Sequence, residues 1–157
     1  MEKTLQGRGS ATSFVHSATF GACLNVEAMS APSLEEEVAR MANDAGLDVW
    51  STDSRSFGAR EGESVGGITV TGIIGSSAYY VHCWPGLGSV QSMVHSCVEE
   101  GTTKDEDKAK AVCFFGLLKD FFRAVRFRIY KSTEHPVDVP EALAERQRVA
   151  SLRTARA

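Results

Sequence analysis

Ser76 and Ser77 stand side by side between Gly75 and Ala78, followed by His82, Trp84-Pro85 and, further on, Cys97. A serine hydroxyl can attack the carbonyl of the residue before it when the backbone is held in a tight turn. The amide becomes an ester. Elimination across the Cα–Cβ bond of Ser77 then leaves a dehydroalanine, which hydrolyses to an N-terminal pyruvoyl group. Small neighbours such as Gly75, Ser76 and Ala78 permit that geometry. As a plain strand feature, the same Gly-Ser-Ser is a bulge or bend at a sheet edge.

His82 and Cys97, each taken alone, are ordinary: a hydrogen-bonded strand histidine and a small hydrophobe. His82, Cys83, His95 and Cys97 have the ligand types of a metal site. However, His82 and Cys83 point to opposite faces of a regular strand, which argues against four convergent ligands. A Ser-His hydrolase would need a G-x-S-x-G elbow and an orienting carboxylate, and neither is evident. Gly66-Gly67 and the glycines at 86 and 88 read as turn residues rather than a phosphate loop.

These residues need a scaffold, and the sequence describes one. A chain of 157 residues, 43% apolar and 24% charged, suits one domain with a real core. A net charge of −3 gives no sign of a nucleic-acid binder, and the apolar runs are too short to span a membrane. The first twenty residues lack a secretory apolar core and read as a polar arm, although their Ser/Thr content also leaves organelle import open. Scattered Cys23, Cys83, Cys97 and Cys113 fit reduced thiols in a cytoplasmic setting.

Phe20, Ala22, Leu24 and Val26 alternate as a half-buried strand. Ser33 and Glu36 form a capping box for a helix with Leu34, Val38, Met41, Ala42 and Ala45 on one face, and Gly46 takes the left-handed position at its end. "LDVWSTDSRSF" is a strand, and "GAREGESVGG" an exposed loop. "ITVTGII" is the next strand, continued by "AYYVHCW" after the Gly-Ser-Ser interruption, with "PGLG" as a turn. In "SVQSMVHSCV" Val90, Ser92, Val94 and Ser96 share one face. Thr103 and Glu106 cap a second helix with Ala111, Phe114, Leu118 and Phe121 as its stripe. "AVRFRIYK" closes the sheet with Val125, Phe127 and Ile129 inward, and Arg126 and Arg128 outward. Two helices with one stripe each and an antiparallel-rich sheet with one face to cover predict an α+β two-layer sandwich. The expected divisions are a polar arm over 1–18, the domain over 19–132, and a helix-prone basic extension over 133–157.

The spacing of Ser77, His82, Trp84, Pro85 and Cys97 resembles that of the bacterial-type S-adenosylmethionine decarboxylase family. Its signature runs Glu-Ser-His, a short spacer, His-Thr-Trp-Pro-Glu, then a Cys after an eleven-residue strand segment. "SSAYYVHCWPG…VHSC" keeps that register without a gap, and the likeness extends from about Phe20 to Lys131. The resemblance implies that Ser77 becomes the pyruvoyl group by cleavage at Ser76-Ser77, with His82 and a helper hydroxyl at Thr69 assisting. Cys97 would return a proton to the substrate carbon after carbon dioxide leaves, and Trp84 and Ala78 would line the substrate site. The pyruvoyl carbonyl takes the substrate amine, so neither pyridoxal phosphate nor a metal is required. The implied role is supply of the aminopropyl donor for spermidine, by a homodimer whose sites draw on both subunits, with no nucleic-acid partner.

Four positions depart from the signature. Ser76 replaces Glu, Ala78 replaces His, Cys83 replaces Thr, and Gly86 replaces the final Glu. The last removes a carboxylate for a cationic substrate, worth roughly 1.5–3 kcal/mol as a charged hydrogen bond. Another amino acid is then a candidate substrate. The alternative is an uncleaved pseudoenzyme of the same fold, acting as a structural or regulatory partner subunit.

Overall fold

Strand alternation and helix stripes resolve into one sheet with helices on one side. The computed structural model describes residues 11–58, 66–75, 77–98 and 103–137. In chain order these form β1 (Ala11–Cys23), α1 (Leu34–Asp44), β2 (Val49–Ser56), β3 (Ile68–Ile74), β4 (Ser77–Trp84), β5 (Ser89–Val98), α2 (Lys104–Phe122), β6 (Ala124–Ile129) and β7 (Thr133–Val137). Short 3-10 turns cover Glu27–Ser30 and Pro85–Leu87. The strand order is β2-β3-β4-β5-β1-β6, with β7 also pairing β1, and the pairings are antiparallel. This is the α+β sandwich that the sequence predicts.

The core lies between the sheet and the two helices. Leu34, Val38, Met41 and Ala42 of α1 and Ala111, Phe114, Phe115, Leu118 and Phe122 of α2 are buried. They meet Ala18 and Phe20 of β1, Val70 of β3, Tyr79, Val81 and Cys83 of β4, and Val90 and Val94 of β5. Gly72 makes room here: a Cβ on it would lie 2.2 Å from the Tyr79 ring. That ring packs edge-on against Phe114 at 5.4 Å, and its hydroxyl meets Thr52 Oγ1 at 3.1 Å.

Both helix ends test the predicted caps. At α2 the box forms: Thr103 Oγ1 accepts the Glu106 N–H, and the Glu106 carboxylate accepts the Thr103 N–H at 3.0 Å. At α1 it does not. Ser33 has helical dihedrals, φ −80° and ψ −3°, and its side chain makes no capping bond. A capping serine must be extended to reach back, so the predicted box is corrected to one preceding turn of helix-like backbone. Gly46 is left-handed at φ +82°, as expected.

Four further expectations are corrected. The polar start is no arm from residue 11 onward: β1 pairs β5 over Thr12–Phe20 on one side, and β7 and β6 on the other. Residues 133–137 likewise belong to the sheet as β7 rather than to an extension; residues 1–10, 59–65 and the tail 138–157 lie outside the described residues. The alternation through Ala22, Leu24 and Val26 fails because Ala22 sits at φ +50°, which turns Cys23 inward and leaves those three exposed. On β6, Ala124 opposite Cys23 is buried, whereas Val125, Phe127 and Ile129, expected to face inward, are exposed, because no helix covers this edge strand beyond its first residue.

Burying the start of β1 places His16 in the core, 2% exposed. Its Nδ1 meets Ser132 Oγ at 2.7 Å and its Nε2 meets Asp107 Oδ2 at 2.9 Å. One imidazole thus ties β1 to the first turn of α2 and to the β6–β7 connection. Its burial leaves no approach for a substrate, so the Ser-His-Asp chain is a strap. Replacing His16 with Ala strands two polar partners. The expected result is a loss of about 2 kcal/mol, within the range for unsatisfied buried groups, read as a lower urea midpoint at unchanged slope.

Candidate active site

The hairpin of β3 and β4 fixes where every singled-out residue stands. Ile74 pairs with Ser77, so the connection is two residues long, and its first residue, Gly75, is left-handed at φ +59°. What reads in sequence as an interruption within one strand is therefore a hairpin turn. Ser76 lies outside the described residues.

At this turn end, β5 brings Cys97 beside Ser77. The Cys97 backbone N–H donates to Ser77 Oγ at 2.8 Å. Strand alternation gives Ser77 the same side as buried Tyr79, Val81 and Cys83, whereas Cys97 follows Gln91, Met93 and His95 on the helix-free face. Ser96, one register step from the Ala78–His95 pair, is buried, and its Oγ has no hydrogen-bond partner among the described residues. Ala78 is half-buried between Ile73 and His95 on the neighbouring strands.

At the opposite end of β4, Thr69 pairs directly across from His82. Thr69 Oγ1 is hydrogen-bonded to His82 Nδ1. The imidazole lies 4.0 Å from the Trp84 ring and 5.6 Å from the Phe57 ring, centroid to centroid. Gly67 closes over it: a Cβ there would come within 3.3 Å of His82 Nε2. Burial in this aromatic box lowers the His82 pKa from its ordinary value and favours the neutral ring. Trp84 accordingly belongs with His82 and not with Ser77. Gly86 sits in the Pro85–Leu87 turn, where an added side chain would meet nothing within 4 Å.

The structure thus makes two pairs, Ser77 with the backbone N–H of Cys97 and Thr69 with His82. The Cys97 thiol leaves on the face opposite Ser77, so the expectation of a thiol close to that hydroxyl is corrected. The two pairs are not united within one chain. Five strand steps separate Ser77 from His82, about 16 Å, and the two side chains leave on opposite faces. The expectation of an imidazole near the turn in the same chain is corrected on that ground. The metal reading also divides: Cys83 is fully buried with its thiol pushed up to about 12 by burial and by Cys23, while His82, His95 and Cys97 occupy the other face. Sequence reasoning missed the carboxylate-oriented histidine, His16. Its partners lie 91 and 116 residues away, so no local motif announces them.

No protein-family model matches the chain, and no curated protein matches it. Among solved structures, the adenosylmethionine decarboxylase from Aquifex aeolicus VF5 is similar, with a TM-score of 0.57 and 16% identity. That match covers 81% of this chain and 91% of the other. A phage SAM lyase in complex with S-methyl-5'-thioadenosine also matches, over 87% of this chain and 98% of that one, at 12% identity and a TM-score of 0.38. The second score is too low to carry an argument. The first establishes a shared fold.

His82 yields a signed pH prediction. Its folded pKa lies below the unfolded value of about 6.5, so the unfolded chain takes up the proton first. The contribution to stability is complete above that value and is lost as the pH falls through it. Urea titrations should show wild type losing more stability on acidification than His82→Gln. An imidazole resonance titrating at or above the ordinary value would contradict the assignment.

Proposed function

We propose that the chain is a pyruvoyl-dependent decarboxylase of S-adenosylmethionine or a related amino acid, self-processed between Ser76 and Ser77 and working as a homodimer. One observation carries the reading: Ser77 follows a tight turn opened by left-handed Gly75, with its hydroxyl oxygen held by the Cys97 N–H at 2.8 Å. A donor aimed at that oxygen stabilises the charge it gains as it loses its proton, which is what attack on the preceding carbonyl needs. The shared fold and the uninterrupted Ser77–His82–Cys97 spacing add support.

The residues present fit the group that cleavage would create. Once formed, a pyruvoyl group supplies an electron-withdrawing carbonyl for a substrate amine. Cys97 stands on the strand next to Ser77, but only its backbone N–H meets Ser77. Its thiol faces the helix-free side, so returning a proton to a carbon held at residue 77 needs cleavage to free that residue to turn toward this face. Neutral His82 is poised to accept a proton, with Thr69 fixing its ring.

On this reading, the separation of the two pairs is bridged by a second copy. A two-fold partner would set its Thr69–His82 end against the Ser77–Cys97 end of the first chain. Half-buried Tyr80, Trp84 and Met93 on the helix-free face offer apolar surface for that contact. The same separation favours the second reading, the uncleaved pseudoenzyme, for any chain that stays monomeric. The open surroundings of Gly86 point the same way, since the residue itself carries no carboxylate for a cationic substrate and an added side chain there would meet nothing among the described residues.

Intact mass under denaturing conditions separates the two readings. Cleavage between Ser76 and Ser77 gives fragments of 76 and 81 residues, while the pseudoenzyme remains a single 157-residue species. Ser77→Ala should abolish cleavage. Cys97→Ala should cleave but lose about 100-fold or more in turnover, the usual weight of a general acid. Co-expressing Ser77→Ala with His82→Ala should restore cleavage of the His82→Ala chain through the mixed dimer. Cleavage of His82→Ala on its own would remove the shared-site argument.

A further inference from the structure

We propose that the β1–β6 end of the sheet holds a binding site for a small phosphate-bearing ligand, independent of the decarboxylase reading. A cavity of about 370 Å³ opens there, lined by Thr19, Gly21, Ser89, Arg126, Arg128 and Tyr130 among others. It lies in the same cross-strand row as His82, through Gln91 and Thr19 to Arg128. Three strand spacings put it about 14 Å from that histidine.

The register explains the concavity. Gly21 faces Arg126 and Thr19 faces Arg128 across the β1–β6 pair. A glycine and two short hydroxyl residues leave the floor low, and two long cations form one wall. A Cβ at Gly21 would sit only 3.6 Å from Arg126 Cβ, so any larger side chain would occupy the floor. Tyr130 Oη and Thr19 Oγ1 lie 3.2 Å apart. Two hydroxyls that share one hydrogen bond keep one O–H free to donate to an anion. Ser89 spends its proton on the Phe20 carbonyl, at 3.1 Å, and serves only as part of the floor.

Among the described residues the charge is local and unneutralised. Residues 121–133 carry Arg123, Arg126, Arg128 and Lys131 and no acid, in a chain whose net charge is −3. Arg40, Arg55 and Lys104 each meet a carboxylate, but among the described residues Arg126 and Arg128 meet none within 4.0 Å. Edge strands often carry charge to block pairing with other sheets, and lysine usually does that work. Edge protection accounts for neither the cavity nor the choice of arginine. Guanidinium forks two residues apart on one strand, about 7 Å along it, match the oxygens of one phosphate or bridge two linked ones.

Calorimetric titration of the full chain with inorganic pyrophosphate at near-physiological salt tests the site. The expected result is saturable binding at one site per chain. Arg126→Ala with Arg128→Ala should weaken it by about ten-fold or more, as the loss of charged hydrogen bonds predicts. Gly21→Val keeps both cations but fills the floor, and it should weaken binding as well. Arg55→Ala, at the other end of the row, should leave it unchanged, and unaltered urea midpoints establish that the variants are folded. Absence of binding, equal affinity in the double-arginine variant, or equal weakening by Arg55→Ala would each overturn the proposal. So would retention of full affinity in Gly21→Val, because diffuse surface charge needs no cavity.

Discussion

A two-residue connection leaves two strands almost no choice of register, and this one sets the geometry of the whole molecule. With Ile74 opposite Ser77, Thr69 must lie opposite His82 and Gly72 opposite Tyr79. A slip of one residue would send Tyr79, Val81 and Cys83 to the helix-free face and His82 into the core. The hydrophobic residues on that side and the short turn specify the same answer. The glycine at 72 reinforces it, because only there can the Tyr79 ring lie flat against the neighbouring strand. Ser77 is held at the turn as a consequence of packing some distance away.

How much of this the sequence reveals depends on whether the determining contacts are local. The alternation of β5 and the cap of α2 are local, and both stand in the structure as read. The spacing of Ser77, His82 and Cys97 is legible as well, but spacing along a chain does not say which residues share a face. Five is an odd number, and on a strand an odd step changes sides. The start of β1 was opaque for a different reason. Its serines, threonines and histidine look like solvent-facing residues, and their burial follows only from having strands on both sides. The left-handed backbone at Ala22 has no local signal either, and the register there runs unbroken to Ala124 on a strand far away in sequence.

The helix-free face shows a second consequence of one-sided cover. Residues there escape the requirement that buried polar groups be paired, so threonines, glutamine, histidines and arginines collect in rows across the sheet. A row is a long way from a site. What distinguishes positions within it is whether neighbours restrict the side chain. His82 is boxed by Phe57, Trp84 and Gly67, and Arg126 and Arg128 stand over a floor of small residues. Thr71 and His95, in the same sheet, are simply exposed.

The covered face obeys the opposite rule. Ser92 donates to the Tyr80 carbonyl at 3.0 Å, Thr52 meets Tyr79 Oη, Ser54 donates to Glu35 at 2.5 Å, and His16 satisfies both ring nitrogens. Ser96 is the exception among the described residues, a buried hydroxyl without a partner. Leaving one group unsatisfied costs about 1–3 kcal/mol, and an alanine there would avoid the cost. That Ser96 lies across from Ser77, at the turn and next to Cys97, gives the cost a location. Among the described residues the sheet pairs its other buried hydroxyls and leaves this one free, so the unsatisfied group marks the turn end and not the covered face at large.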